Sequence, residues 1–361
     1  MEHIYTPKQD YKVLVRCFTY NQSKYIEDAL NGFVMQQTSF PFVCLVMDDC
    51  STDGEQEVIK AWMERECDMD KAEYIEIELS QIILVPHKSN TNCTFAFYFL
   101  RQNLYGTGDK KMCMVYPWRE HCEYEALCEG DDYWTYIDKL QKQIVFLDNN
   151  PNYTCCLTRY VCYDQNKKSI YAVCGESRKD TRDMLEHDFQ FGTCTIVLRT
   201  ALLKKYYEEV QPYKKDWLMG DKPLILFLGA KGFVHTIKEC MATYRILDNT
   251  ASHSQNIILQ LKRARNTIDI YHYFADKYYY GDKKLADTIE GGYIYRAYLI
   301  YKSSNQNLSN EIISQIKKYR GGYWKLYIVK LLIQFKWLHN IVYSLSSIKN
   351  KLFTIIRKQH V

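Results

Sequence analysis

The sequence predicts an α/β protein with a mainly parallel central sheet and a helical C-terminal extension. Three observations predict it. Short apolar runs alternate with amphipathic helical stretches, two of those runs end in acidic clusters, and beyond about Thr250 the periodicity is helical throughout. Alternation of this kind favours parallel pairing with helices on both faces of the sheet.

Residues 13–18 read as a buried strand, followed by the polar turn Thr19-Tyr20-Asn21-Gln22-Ser23. Ser23 is the expected N-cap of a helix in which Ile26, Ala29, Leu30, Phe33 and Val34 recur at helical spacing. Residues 42–47 form a second strand that stops at Asp48-Asp49. Thr52-Asp53-Gly54-Glu55 has capping-box spacing and opens a helix with Val58, Ile59, Trp62 and Met63 on one face. Residues 82–85 read as a third strand, and Asn92 as the cap of a helix running through Leu100. Residues 124–128 are a fourth strand, ending in Glu129-Gly130-Asp131-Asp132. Ile137, Leu140, Ile144 and Leu147 mark a helix that Asn149-Asn150-Pro151 stops. Further on, helices are expected over residues 257–274, 283–302 and 310–319, and after Gly321-Gly322 over residues 323–345.

With 361 residues, 47% of them hydrophobic and 25% charged, the chain can bury a core, which excludes a mostly disordered protein. Residues 1–12 are polar, carry Glu2 and Asp10, and lack the basic start and apolar stretch of a signal peptide. The 14 cysteines include no CxxC pair, so reduced thiols are expected rather than a disulfide framework or a zinc site. A cytoplasmic location follows as an expectation. Residues 312–361 hold eight Lys, two Arg and no acid, whereas the remainder carries a net charge of −6. A basic tail on an acidic body points to an anionic surface at one end.

In a parallel sheet ligands bind outside the carboxyl ends of the strands. Both acidic clusters fall at such ends, so both are expected to line one crevice. Carboxylates placed together repel unless a cation compensates, and oxygen ligands suit Mg²⁺ or Mn²⁺ held partly by substrate phosphates. The chain has no GxxxxGK[ST], GxGxxG or HExxH. That combination points to nucleotide-diphosphate chemistry handled through a metal.

The motifs then carry a family resemblance. Phe18-Thr19-Tyr20-Asn21-Gln22, Met47-Asp48-Asp49-Cys50-Ser51-Thr52-Asp53-Gly54 and Cys128-Glu129-Gly130-Asp131-Asp132-Tyr133-Trp134 stand in the order and spacing seen in family-2 glycosyltransferases. Leu140-Gln141-Lys142-Gln143, Gly220-Asp221-Lys222-Pro223-Leu224 and Tyr244-Arg245 extend the match over roughly residues 11–250. The chain thus resembles inverting enzymes of the GT-A fold, of the type that builds bacterial surface polysaccharides. The resemblance implies a catalytic domain over residues 1–250 and a helical region over 251–361. It implies that Thr19, Tyr20 and Asn21 contact the nucleotide, that Asp49 reads the base and that Asp48 supports its loop. Asp131 or Asp132 would ligate Mn²⁺ or Mg²⁺, with Glu129 beside them where many members have Asp. Asp221 would be the general base, Arg245 would lie near the donor diphosphate, and Thr193 and Trp134 would face the acceptor. Many members follow that Arg closely with His; here Ile246-Leu247 follow, so either His253 replaces it or the contact is absent.

The residues around Asp221 support a helix start, since Pro223 suits a first turn and the dipole stabilises an anion there. The competing role for Asp221 is a simple N-cap. The expected reaction is transfer of a sugar from a nucleotide-diphospho-sugar to a hydroxyl of a glycan or lipid-linked glycan. A sugar nucleotidyltransferase would want a Gly- and Lys-rich loop after the first strand, and residues 18–23 contain no Gly. A non-catalytic nucleotide-sugar binding protein is the third reading. Nucleic-acid binding is disfavoured by the acidic body. Residues 323–345 are apolar and aromatic, with Lys325, Lys330 and Lys336 interspersed. A spanning helix needs about 20 mostly apolar residues, so an interfacial helix is expected, holding the protein at the cytoplasmic face of the membrane. Packing on the catalytic domain, or pairing in a homodimer, are the alternatives for this segment.

Overall fold

The computed structural model describes residues 4–107, 110–187, 189–247, 256–304 and 307–334. The chain divides into two compact units, Met1–His253 and Ser254–Val361. The strands of the first are β1 (Tyr11–Thr19), β2 (Phe42–Asp48), β3 (Glu73–Glu76), β4 (Ser80–Pro86), β5 (Cys93–Leu100), β6 (Cys122–Leu127), β7 (Tyr133–Trp134), β8 (Tyr153–Asp164), β9 (Ser169–Cys174), β10 (Val197–Arg199) and β11 (Phe233–Ile246). They form one sheet in the order β3-β4-β5-β2-β1-β6-β10-β8-β11-β7, with β9 paired to β8 outside this path. The four central strands β5, β2, β1 and β6 are parallel, as are β8 and β11. The antiparallel pairs flank this centre. The expected α/β class, with its parallel centre and C-terminal helices, is the one observed.

The helices of this unit are α1 (Ile26–Val34), α2 (Glu55–Glu66), α3 (Lys110–Glu120), α4 (Lys139–Asn149), α5 (Thr181–His187), α6 (Ala201–Val210) and α7 (Asp221–Lys231). Alternation along the strands sends their side chains into two cores. Val13, Val15 and Cys17 of β1 join Phe42, Cys44 and Val46 of β2 and the apolar stripes of α1, α2 and α4. Leu14, Val43, Leu45 and Met47 pack on the opposite face with Met114, Val115 and Trp118 of α3. Helices on both faces explain why every residue of β2 is buried.

Three local expectations are corrected. The stretch after Asn92 is not a helix but β5, paired to β2 and β4 along its length. Its run Cys-Thr-Phe-Ala-Phe-Tyr-Phe-Leu is nearly all buried, and an unbroken apolar run has no period to separate helix from strand. Ser23 does not cap α1; the cap position is Tyr25, and the Ser23 amide donates to Asp53 at 3.0 Å. Thr52 does not cap α2 either. Gly54 holds that position at φ 86°, in the left-handed region that favours glycine, and Glu55 turns to other partners.

Beneath the sheet end, Lys139 is fully buried at the start of α4. Its Nζ lies 4.2 Å from the Trp134 ring centroid and donates to Gln143 Oε1 at 2.8 Å. Gln143 Nε2 in turn donates to the carbonyls of Cys156 and Thr195. Burial lowers the Lys139 pKa to about 8. A base whose native pKa lies below its unfolded value costs stability while it is charged in both states. That cost is fully present below about pH 8 and fades as pH rises toward the ordinary lysine value of about 10.4. Lys139→Met, measured against wild type by chemical denaturation, should therefore compare better near pH 7 than near pH 9.5, by about 2 kcal/mol. A gap that does not change with pH would show that the ammonium is solvated.

The second unit is helical: α8 (Ile257–Tyr278), α9 (Lys283–Ser303), α10 (Asn310–Lys318) and α11 (Trp324–Gln334). Asn256, Asp282 and Ser309 cap the first three, each side chain accepting from backbone amides of the first turn. Ile294, Ala297, Tyr298, Ile312, Ile316, Leu326 and Val329 form its core. No helix among the described residues is long and apolar enough to cross a membrane. The expected helix over 323–345 is described as far as Gln334; its remainder, and His253, lie outside the described residues.

Candidate active site

Parallel register sets the strand ends side by side: Thr19 pairs with Asp48, and Arg16 with Leu127. The loops after β1, β2 and β6 therefore meet at one edge of the sheet. Glu55 ties the first two together. It is buried, accepts from Thr19 Oγ1, from the Gln22 amide at 2.8 Å and from Ser51 Oγ at 2.9 Å, and burial raises its pKa. Asn21, at φ 55°, completes the seam: its Oδ1 accepts from the Thr52 amide at 2.8 Å and its own amide donates to Ser51 Oγ at 2.9 Å. The third loop closes onto the first at Gly130. A Cβ there would stand 2.3 Å from Thr19 Oγ1 and 2.5 Å from Gln22 Oε1, so only glycine fits.

Asp48 and Asp49 take different parts. Asp48 Oδ1 supports its own loop through the Ser51 amide at 3.1 Å and Gln56 Nε2 at 2.6 Å, and its Oδ2 is buried with no partner among the described residues. Asp49 is held by the Leu104 amide and by Lys111 Nζ, each at 2.7 Å. Each oxygen keeps a further lone pair. Tyr20 is exposed above this loop.

The acidic loop after β6 opens into a cavity of about 560 Å³. Glu129, Asp131 and Asp132 line it together with Asp221, Lys222 and Thr193. Asp132 is the innermost carboxylate. Burial pushes its pKa well up, with Asp131 and Glu129 adding to the effect, and its Oδ1 accepts from the Arg245 amide at 2.9 Å. Asp131 is raised by burial as well, with Arg245 opposing. Glu129 is pushed up to about 7, mainly by burial, while Arg16 pulls it down. Carboxylates kept this uncomfortable suit a site that a cation completes. Among the described residues no three Asp, Glu, His or Cys side chains gather tightly enough to hold a metal alone. One or two carboxylates plus substrate phosphates are the usual Mg²⁺ arrangement. Asp131 and Asp132 fit that role.

Asp221 is the first residue of α7, not its N-cap, which is Gly220. Its Oδ1 accepts from the Lys222 amide at 2.7 Å, and the residue lines the cavity. Arg245 is turned differently. Its neighbours Tyr244 and Ile246 line the cavity, and strand alternation sends its own side chain to the other face. There it lies between Tyr25 and Tyr133, bonds the Asp131 carbonyl at 2.8 Å and pairs with Asp28. It holds the acidic loop from behind. Trp134 is corrected as an acceptor contact. It is 1% exposed, and its Nε1 donates to the Cys194 carbonyl at 2.7 Å, so it supports the turn carrying Thr193 and touches nothing in the cavity.

Most of the remaining cavity wall escaped the sequence reading, Phe191 and Tyr244 excepted. Tyr160 and Cys162 of β8, Tyr171 and Cys174 of β9, and Tyr244 and Ile246 of β11 form it, with Gln190 and Phe191. The signal was present as the β-rich, alternating run 153–164.

Residues 17–80 match the glycosyl transferase family 2 model. The family-2 segment carries Thr19, Tyr20, Asn21, Asp48 and Asp49, and the acidic loop, Asp221 and Arg245 lie beyond it. The resemblance to this family read from the motifs holds over that segment. Rv1520 of Mycobacterium tuberculosis, itself an uncharacterized protein, is 29% identical over 230 residues, 63% of this chain and 56% of its own length. The chain therefore spans little more than half of that relative. TuaG of Bacillus subtilis, named for teichuronic acid biosynthesis, is 23% identical over 254 residues, covering 68% of this chain and 84% of TuaG. Among solved structures, the mannosyltransferase PcManGT of Pyrobaculum calidifontis, in complex with GDP-Man and Mn²⁺, aligns at 13% identity and a TM-score of 0.46, covering 88% of this chain and 82% of that one.

Proposed function

We propose that the chain is an inverting, metal-assisted glycosyltransferase that moves a sugar from a nucleotide-diphospho-sugar to a hydroxyl of a glycan or lipid-linked glycan. The observation that carries this reading is one cavity holding Glu129, Asp131, Asp132 and Asp221 at the carboxyl end of a parallel sheet. The family-2 match supports it. Asp221 takes the proton of the acceptor hydroxyl as that oxygen attacks the anomeric carbon, and the sugar–diphosphate bond breaks on the opposite side, which inverts the configuration. General-base assistance of this kind is worth about 10²–10⁴-fold. Asp131 and Asp132 would hold Mn²⁺ or Mg²⁺, which when bound would supply positive charge for the departing diphosphate. Asp49 and the Thr19–Asn21 loop seat the nucleotide. Incubation with a panel of nucleotide-sugars and Mn²⁺ tests the reading: nucleotide should be released from one donor class, and release should stop with a chelator. Binding of a nucleotide-sugar with no nucleotide released from any member of the panel would favour a binding protein.

We place the enzyme in surface-polysaccharide synthesis, peripheral at the cytoplasmic face of the membrane. TuaG's name supports the first part. The +10 charge of residues 312–361 supports the second, as do Trp324, Tyr327, Ile328 and Leu331, which are exposed on α11. Basic residues near an anionic leaflet contribute about 1 kcal/mol each. Sedimentation with liposomes should require anionic lipid, weaken with salt and fail once the residues after Gly322 are removed. Equal sedimentation of both forms would leave a soluble acceptor.

A further inference from the structure

Cys162 of β8 and Cys174 at the end of β9 bring their sulfurs to 3.5 Å, and both line the cavity with Asp131, Asp132 and Asp221. We propose that this pair is a dithiol modification site, oxidised reversibly by a peroxide to a disulfide that slows transfer. The effect on transfer rests on the function proposed above; the oxidation does not.

The two thiols are unlike. Cys162 is buried, and burial pushes its pKa up to about 12. Cys174 is half-buried and accepts the S–H of Cys162. The more exposed of the two sulfurs is the one an oxidant reaches. Cys174 therefore meets the oxidant first. Its sulfur attacks one oxygen of the peroxide, the O–O bond breaks, and a sulfenic acid and one water form. The Cys162 sulfur then displaces the sulfenic hydroxyl, its proton leaves with that hydroxyl as a second water, and the disulfide remains. Two thiols have lost two electrons to one peroxide. Cys44 also bonds Cys93, but both are buried in the core, away from any oxidant.

A disulfide has an S–S length of about 2.05 Å, so the sulfurs must approach by roughly 1.5 Å. Strand β9 can yield, because among the described residues it pairs only with β8. Its shift moves the wall that Tyr171 and Cys174 give the cavity.

The test uses the full chain, treated with hydrogen peroxide, alkylated, and digested with trypsin without reductant. Peptides 160–167 and 169–178 each hold one cysteine, and they should appear linked. The link should vanish with dithiothreitol. In Cys162→Ser, dimedone should trap the sulfenic acid on Cys174, which wild type resolves before trapping. Nucleotide release should fall severalfold on oxidation of wild type and recover on reduction. Absence of the linked peptide at peroxide levels that modify Cys50 or Cys240 would overturn the proposal, as would a linked peptide with unchanged turnover. If the reduced protein turns over no donor, the functional reading fails, and the pair is judged on the linked peptide alone.

Discussion

Asp221→Asn lowers kcat by about 10²-fold or more and leaves donor affinity nearly unchanged. The expectation follows from where the carboxylate sits. It heads α7, shares the cavity with the acidic loop, and bonds only its neighbour's amide among the contacts of its Oδ1. Asn keeps the shape and can still accept that amide, but it cannot take a proton at neutral pH. The capping position belongs to Gly220, so little stability should be lost. Steady-state kinetics with a saturating acceptor decide the matter. A variant that melts earlier and turns over normally would return Asp221 to a structural role.

Asp132→Asn abolishes metal-dependent turnover. Asp132 is buried, and burial with Asp131 and Glu129 drives its pKa up, so an ionised Asp132 without a cation is costly. The direction for stability follows. A carboxyl group whose native pKa exceeds its unfolded value loses stability as pH rises from the unfolded value through the native one. Asn removes that loss and can still accept from the Arg245 amide. The metal-free variant should therefore melt no lower than wild type at neutral pH, while the rise in Tm on adding Mn²⁺ with nucleoside diphosphate disappears. Wild-type responses to Mn²⁺ in both Asp131→Asn and Asp132→Asn would falsify the assignment. Stability and metal response move independently here, so a misfolded variant cannot imitate the expected result.

Much of the first half was legible because its signals are local. The runs forming β1, β2 and β6 are mostly buried and end in polar turns, and α1, α2 and α4 carry clear stripes. The failures came where two local signals compete. Thr52 and Glu55 have capping-box spacing, yet Glu55 spends its oxygens on Thr19, Gln22 and Ser51, which tertiary contact brings closer than its own cap. Residues 93–100 have the composition of either element, and the gap between β2 and β4 decides for a strand.

By itself the sequence determined which residue types stand at the strand ends: the acids after β2 and β6, the glycine within the second cluster and Asp221 at the head of an apolar helix. These follow from short-range pattern and chain order, which no packing can alter. Only the tertiary structure decided which side chains reach the cavity. Arg245 and Tyr244 are adjacent in sequence and point to opposite faces of β11, so one braces the acidic loop and the other lines the cavity. Trp134 follows the acids closely, yet packing against Phe33 and Lys139 buries it. Cys162 and Cys174 meet only because β8 and β9 pair. Facing is set by strand register and by what fills the space behind each residue, and both depend on segments far away in the chain.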